Sequence, residues 1–165
     1  PDEEEIIDSW FAHMAEVKQR IDPNGDEPLV FHWSHAEQST FETAFNSAKE
    51  RHPAKGWPDP RWYDFLTLVI REEPVVVRGA FGFGLKSIAN AMHGHGLIET
   101  KWDTGPTDGL GAMVGAWWSA SEAGRLNCSL GDVQMMREIQ RYNEVDCKAM
   151  MEIIRYLKTP SPPSR

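Results

Sequence analysis

Cysteine, positive charge and long apolar runs are all scarce in this sequence. Its two cysteines, Cys128 and Cys147, form no C-x-x-C pair, which favours reduced thiols in a cytoplasmic protein. No apolar run approaches the ~20 residues of a membrane-spanning helix, and no signal peptide is visible. The net charge of -8 argues against a protein that coats nucleic acid with a broad basic surface. We therefore expect a cytoplasmic protein with no membrane contact.

Apolar and aromatic residues are plentiful. The 165 residues are 41% hydrophobic and include seven tryptophans, which predicts one folded domain over 1–158. The Pro- and Ser-rich segment 159–165 is typical of a disordered tail. The chain begins at Pro1 rather than methionine and leads directly into a helical pattern. This start indicates a processed chain or a fragment whose upstream part is missing.

The elements predicted from the pattern of apolar residues give a helix-rich α/β class with few strands. In chain order they are a helix over 3–21, a strand over 29–33, a helix over 34–52, a strand or short helix over 62–66, an extended segment over 74–77, a helix over 85–92, and a helix starting after Thr107-Asp108. That last helix is predicted to turn Leu110, Met113, Val114 and Trp117 towards the core.

A final helix, predicted over 132–157, carries the first candidate for chemistry. The apolar positions of its inward face are Val133, Met136, Ile139, Met150, Ile153 and Leu157. Tyr142 and Asp146 fall on the same face, one turn apart. A buried ionised carboxylate is costly unless it is paired, hydrogen-bonded or bound to a metal. Asp146 is therefore the first candidate metal ligand, and pairing with a buried arginine or a tyrosine hydroxyl is the alternative explanation.

A second carboxylate is predicted to face inward from another helix. Glu37 lies one turn before Phe41, but it also completes an S-x-x-E capping box with Ser34, and that role alone is sufficient to explain it. Mg²⁺ and Mn²⁺ prefer oxygen ligands, and a two-metal site needs more than two carboxylates. A zinc site is disfavoured, because the histidines do not have the spacing of four nitrogen or sulfur ligands.

Several segments, taken in order, resemble a known family. The residues Tyr142-Asn143-Glu144-Val145-Asp146-Cys147 are similar to the third motif of the DEDDy branch of the DnaQ-like 3′–5′ exonucleases, and especially to predicted nucleases of the YprB type from bacteria and phages. The segment 29–37 resembles the second motif of that group, with Glu37 as its acid. The segments 62–64 and 83–88 resemble the intervening parts.

The resemblance implies an RNase H-like fold and a two-metal nuclease that hydrolyses phosphodiester bonds of DNA or RNA with Mg²⁺ or Mn²⁺. It implies that Asp146 and Glu37 bind metal and that Tyr142 orients or deprotonates the attacking water. It also implies that Lys86 contacts a nucleic-acid phosphate. Association with, or fusion to, replication or repair proteins is the corresponding expectation for partners.

One departure from the family pattern is large. The D-x-E of the first motif, which supplies two acids from the first strand, has no counterpart in this sequence. We therefore expect an incomplete RNase H-like fold whose first strands lie upstream of Pro1, and a nuclease complete only with that segment. The alternatives are a non-catalytic module of the same fold that binds nucleic acid or a protein partner, and a purely structural domain.

Overall fold

A computed structural model describes residues 3–73, 75–102 and 109–159, which belong to two compact units, Pro1–Val75 and Val76–Arg165. The first unit contains α1 (Glu3–Ile21), β1 (Leu29–His32), α2 (His35–Arg51), β2 (Arg61–Asp64) and a π-helical turn (Leu66–Arg71). The second contains α3 (Leu85–Gly94), α4 (Gly109–Leu126), a 3₁₀ turn (Leu130–Asp132) and α5 (Gln134–Lys158). The predicted cap at 107–108 and most of the predicted tail lie outside the described residues.

In the first unit, β1 and β2 form a parallel pair connected through α2. The register pairs Leu29 with Arg61 and His32 with Asp64. Two parallel strands need a crossover of this kind, because a short hairpin reverses the chain and gives antiparallel strands. α2 begins directly after Ser34, as the capping-box pattern predicts. The boundaries of α1, β1 and α2 agree with the prediction to within about one residue.

The core of the first unit is aromatic. Phe45, Ala48 and Trp57 are buried, and Phe11 and Phe41 pack against them. Aromatic rings contribute large apolar areas, which helps a small unit to form a core. The loop that carries Trp57 is fastened to α1 by two bonds to one carboxylate. Its indole Nε1 donates to Asp8 at 2.8 Å, and the ammonium of Lys55 donates to the other oxygen at 2.6 Å.

The strand ends place two titratable groups side by side. His32 is buried, and its Nδ1 lies 2.5 Å from the carbonyl oxygen of Ser34, so this nitrogen carries the proton. Burial works to raise the pKa of Asp64. Hydrogen bonds from the amide and hydroxyl of Thr67, together with the nearby His32, outweigh that effect and hold the pKa below its usual value. Asp64 thus acts as a cap for the turn that follows β2.

In the second unit, α3, α4 and α5 pack together, with α5 in contact with both of the others. The inward face predicted for α5 is confirmed at Val133, Ile139 and Ile153, which are buried. The buried residues of α3 are Ile88, Ala89 and Met92. The exposed charges of α5 include an ion pair between Glu144 and Lys148. Nowhere in the described ranges does a helix combine the length and apolar character needed to cross a membrane.

The prediction for α4 is wrong. The large apolar side chains predicted to face inward, Leu110, Met113, Val114 and Trp117, are all exposed. The buried positions of the helix are instead Gly115, Ser119 and Ala123. A Cβ added to Gly115 would lie 3.2 Å from side-chain atoms of Ile139 and Met135. α4 therefore packs closely on α5 through its small residues.

The predicted α/β class with an RNase H-like fold, even an incomplete one, is also wrong. Within the described part of the chain, the sheet has two strands and the rest of the regular structure is helical. No RNase H-like sheet core is present there. One predicted extended segment illustrates the reason: the amide of Val75 donates to the carbonyl of Ile70, which continues the preceding turn, and Val76 is exposed. A two-stranded sheet is too small to form the layer that such a fold requires.

Candidate functional site

Lys86, Trp102, Tyr142 and Asp146 meet at one place in the second unit. The indole Nε1 of Trp102 donates to Oδ1 of Asp146 at 2.7 Å. The ammonium nitrogen of Lys86 lies 4.6 Å from the ring centre of Tyr142 and 5.9 Å from that of Trp102. Both distances are within the range of cation–π attraction. We call these four side chains the Trp102 cluster.

Two helices and one loop supply the Trp102 cluster. Tyr142 and Asp146 lie one turn apart on α5, so the helical repeat places both on the side that faces α3 and the loop. Lys86 lies in the first turn of α3 and is half-buried, and its ammonium reaches the two rings. Trp102 comes from the stretch 95–102 after α3, where the described residues form neither helix nor strand.

Glu152 anchors the segment that carries Trp102. Its Oε2 accepts hydrogen bonds from the amides of Glu99 and Thr100 at 2.8 and 2.9 Å, and its Oε1 accepts from the Thr100 hydroxyl at 2.7 Å. Burial works to raise the pKa of Glu152. The bonds from Thr100 and Glu99 outweigh burial, so the pKa of this carboxyl lies below its usual value. The Glu152 carboxylate thus positions the loop that carries Trp102, and the indole of Trp102 contacts the Asp146 carboxylate.

The carboxylate of Asp146 is half-buried rather than fully buried. The cost of desolvation is therefore smaller than the helical pattern suggested, and the indole N–H offsets part of it. The neighbouring Cys147 is affected as well: loss of solvent around the sulfur, followed by the negative charge of Asp146, raises the pKa of its thiol. A thiol with a raised pKa is a poor nucleophile at neutral pH.

Glu37 belongs to the first unit, whereas Lys86, Tyr142 and Asp146 belong to the second. The prediction that Glu37 faces inward is wrong, because its side chain is exposed. It accepts a hydrogen bond from the Ser34 hydroxyl at 3.1 Å. This contact joins the two residues of the capping-box pattern at the helix start, through the Ser34 hydroxyl where a capping box uses the Ser34 amide.

The Trp102 cluster can supply one metal ligand, but it does not supply all the ligands of a two-metal site. A carboxylate oxygen is a ligand that Mg²⁺ and Mn²⁺ prefer, and Asp146 supplies one such group. No group of three or more His, Cys, Asp or Glu side chains arranged to hold a metal occurs within residues 3–73, 75–102 and 109–159. Further acidic ligands would be needed for two-metal chemistry.

Two members of this arrangement were not identified from the sequence. Trp102 is indistinguishable from the core tryptophans by composition, and Glu152 falls on the side of α5 predicted to face water. Each makes its contact with a residue more than forty positions away. Helical periodicity relates only near neighbours, so it carries no signal for these pairs.

Comparison of the chain with protein-family models, curated proteins and solved structures found no match.

Proposed function

We propose that this chain belongs to a metal-dependent nuclease that hydrolyses phosphodiester bonds of DNA or RNA from the 3′ end. In this proposal Asp146 is a ligand of Mg²⁺ or Mn²⁺, Tyr142 positions the attacking water, and Lys86 binds a substrate phosphate. The metal ions would stabilise the attacking and leaving oxygens. We place the enzyme in the cytoplasm of a bacterium or in phage-infected cells, acting with replication or repair proteins.

The observation that carries the proposal is the Trp102 cluster. The resemblance to DEDDy exonucleases assigns roles to Lys86, Tyr142 and Asp146 from their sequence context alone. These residues are up to sixty positions apart in sequence, yet Lys86 lies over the rings of both Trp102 and Tyr142, and Trp102 donates to Asp146. A carboxylate, a phenol and an ammonium in close proximity are groups suited to binding a cation and a phosphate. Support from the fold is lacking, so the proposal depends on these side chains.

Glu37 has a local role at the start of α2. Its exposed carboxylate is accessible to a metal, but its contact with Ser34 explains its position at the helix start. We therefore build the proposed metal site on Asp146 of the second unit and assign Glu37 of the first unit only its contact with Ser34. Asp146 remains the ligand on which the tests should be made.

A second candidate, a non-catalytic module that binds nucleic acid or a protein partner, is favoured by one feature of the same cluster. Lys86 lies over two half-buried aromatic rings, those of Trp102 and Tyr142. Proteins that bind single-stranded nucleic acid use cationic side chains to contact the phosphates and aromatic side chains to stack on the bases. This role does not require a metal.

Metal binding can be tested with Mn²⁺, whose unpaired electrons broaden nearby NMR signals even when binding is weak. We expect Mn²⁺ to broaden the indole N–H signal of Trp102 selectively, because this N–H contacts the proposed ligand. Asp146→Asn should remove the effect. Glu144→Gln, an exposed change on the same helix, should retain it. Equal broadening in Asp146→Asn would exclude Asp146 as a ligand.

Cleavage can be tested with the natural protein at full length and with 5′-labelled single-stranded DNA and RNA. We expect stepwise shortening from the 3′ end with Mg²⁺ or Mn²⁺, and no shortening with Asp146→Asn. Tyr142→Phe should lower the rate by roughly 10²-fold or more, as expected for loss of a group that assists proton transfer. Oligonucleotide that is bound but never shortened would support the non-catalytic candidate and contradict the nuclease.

A further inference from the structure

The exposed apolar face of α4 is the largest feature of the second unit that the proposed function does not use. Four large side chains recur at spacings of three and four residues, which places them on one side of the helix. Their exposed fractions are 66% for Leu110, 66% for Met113, 57% for Val114 and 76% for Trp117. The charged residues of α4, Glu122 and Arg125, form hydrogen bonds to each other at one flank.

This face cannot turn inward, because the opposite side of α4 is already packed against α5. Gly115 and Ser119 are buried there, and the Ser119 hydroxyl donates to the Gly115 carbonyl within the helix. The space above Gly115 is occupied by Ile139 and Met135 at 3.2 Å from a hypothetical Cβ. Rotating the helix would force bulky side chains into this close contact, which densely packed interiors do not accommodate.

The area of the face is close to what a stable interface needs. At roughly 150–250 Å² for a large side chain, the four residues and the half-exposed Trp118 leave on the order of 600 Å² of apolar surface, against about 800 Å² per partner in a typical complex. Contiguous apolar patches larger than a few hundred Å² are rare on monomers and mark interaction sites.

The distribution of residue sizes along the face identifies the partner. Its first half carries Leu110 and Met113, whereas its second half carries Ser121 and Gly124 on the same side of the helix. A Cβ added to Gly124 meets nothing within 4 Å, so the second half presents an open surface. Two copies placed antiparallel, with the twofold axis at Trp117, would set each bulky half against a small one.

We propose that this face of α4 binds the same face of a second copy of the chain as an antiparallel, isologous dimer. Leu110 of each copy lies against Gly124 of the other, Met113 lies against Ser121, and the two Trp117 rings meet at the axis. Isologous contacts of this kind are closed, so they yield dimers rather than filaments. The central tryptophan is the residue type that contributes most to binding at such positions.

The experiment is sedimentation velocity across the micromolar range, with reducing agent present because Cys128 and Cys147 are exposed. We expect the wild type to be dimeric. Trp117→Glu should weaken the dimer by roughly 30-fold or more, the effect of losing a central anchor. Gly124→Leu should also weaken it, because the new side chain meets Leu110 of the second copy although it meets nothing in its own chain.

Ile21→Glu is the matched control, because Ile21 is as exposed as Trp117 but lies at the end of α1, and it should leave the dimer intact. Circular dichroism should show unchanged helix content in all three variants, since the altered side chains are at the surface. A wild type that stays monomeric, including one that binds neutral lipid vesicles instead, would overturn the proposal. So would a dimer that is insensitive to both α4 variants. Sensitivity to Trp117→Glu without sensitivity to Gly124→Leu would refute the antiparallel alignment.

Discussion

The indole of Trp102 joins a carboxylate of α5 to a lysine of α3. Its ring lies beside the ammonium of Lys86, and its N–H satisfies one oxygen of Asp146. Asp146 is half-buried, so water can only partly replace that hydrogen bond when the donor is removed. Removal of the donor therefore destabilises the folded chain. A single side chain therefore contributes both packing and polar contact to the candidate site.

Trp102→Phe separates the two contributions, because the phenyl ring retains an aromatic face and loses the N–H. We expect the free energy of unfolding of the second unit to fall by about 1.5–3 kcal/mol, the range for a lost hydrogen bond to a charged acceptor. Chemical denaturation followed by circular dichroism measures it. Trp118→Phe, a change at a partly exposed tryptophan of α4, should have a smaller effect. Equal losses in the two variants would contradict the role of the N–H.

Glu152 provides a pH-dependent prediction. Because its pKa in the folded chain lies below the unfolded value near 4.5, its contribution to stability is complete above that pH. The contribution is lost as the pH falls through the folded pKa, where the carboxylate takes up a proton. Glu152→Gln should therefore lower the unfolding free energy by about 1–2 kcal/mol at pH 7 and by progressively less below pH ~4.5. A deficit of the same size at pH 3 would rule this out.

Whether a residue of the candidate site could be predicted depends on how far along the chain its contacting partners lie. The shared face of Tyr142 and Asp146 could be predicted because the helical repeat is local. Glu37 was misjudged because a residue in the first turn of a helix can follow the apolar line and still lie beyond its packed part. Trp102 and Glu152 could not be predicted, since their partners are brought near only by the packing of α3 and α5.

At the scale of elements, α4 is a helix as predicted, but the face predicted to be buried is exposed. The prediction assumed that the largest apolar side chains face the core. The alternative stripe of Gly115, Ser119 and Ala123 also has helical spacing, and it lets the two helix backbones approach closely. Periodicity fixes which residues share a face, but the fit of that face to its neighbour decides which face is buried.

The two glycines of α4 offer a matched pair of substitutions for this packing. Gly115→Leu should destabilise the second unit by about 1–3 kcal/mol, because the larger side chain must displace Ile139 and Met135. Gly124→Ala should instead stabilise it by about 1 kcal/mol, because alanine favours the helix and its Cβ meets nothing within 4 Å in its own chain. Thermal unfolding of both variants tests the prediction. A stable Gly115→Leu variant would show that the α4–α5 contact is looser than described.

At the scale of the whole molecule, the excess of acidic residues opposes contact with a polyanion. With a net charge of -8, the proposed binding of nucleic acid would require a local arrangement of groups rather than the overall field of the chain. Divalent cations can reverse the local field at a carboxylate site. If the proposed function is correct, the affinity for oligonucleotides should depend strongly on Mg²⁺ or Mn²⁺.

Lys86→Ala tests this dependence through fluorescence polarisation of a labelled single-stranded oligonucleotide. We expect weak binding in EDTA, tighter binding with Mn²⁺, and a loss of affinity in the variant. The dependence of log K on log salt should become shallower by about 0.7, the value for one lost phosphate contact on a single strand. Lys148→Ala, which removes an exposed lysine on α5, should leave the slope unchanged. An unaltered slope in Lys86→Ala would remove this residue from the interface.

The parallel pairing of β1 and β2 has a consequence for the order in which the chain folds. Leu29 and Arg61 are about 32 residues apart in sequence, so these strands pair only after the ends of a long loop have met. Contacts between α4 and α5 involve segments that follow each other along the chain. Since local contacts form faster than distant ones, amide protons of α4 and α5 should gain protection from hydrogen exchange before those of the two strands. The smallest sheet that a chain can make would then be the slowest part of this one to form.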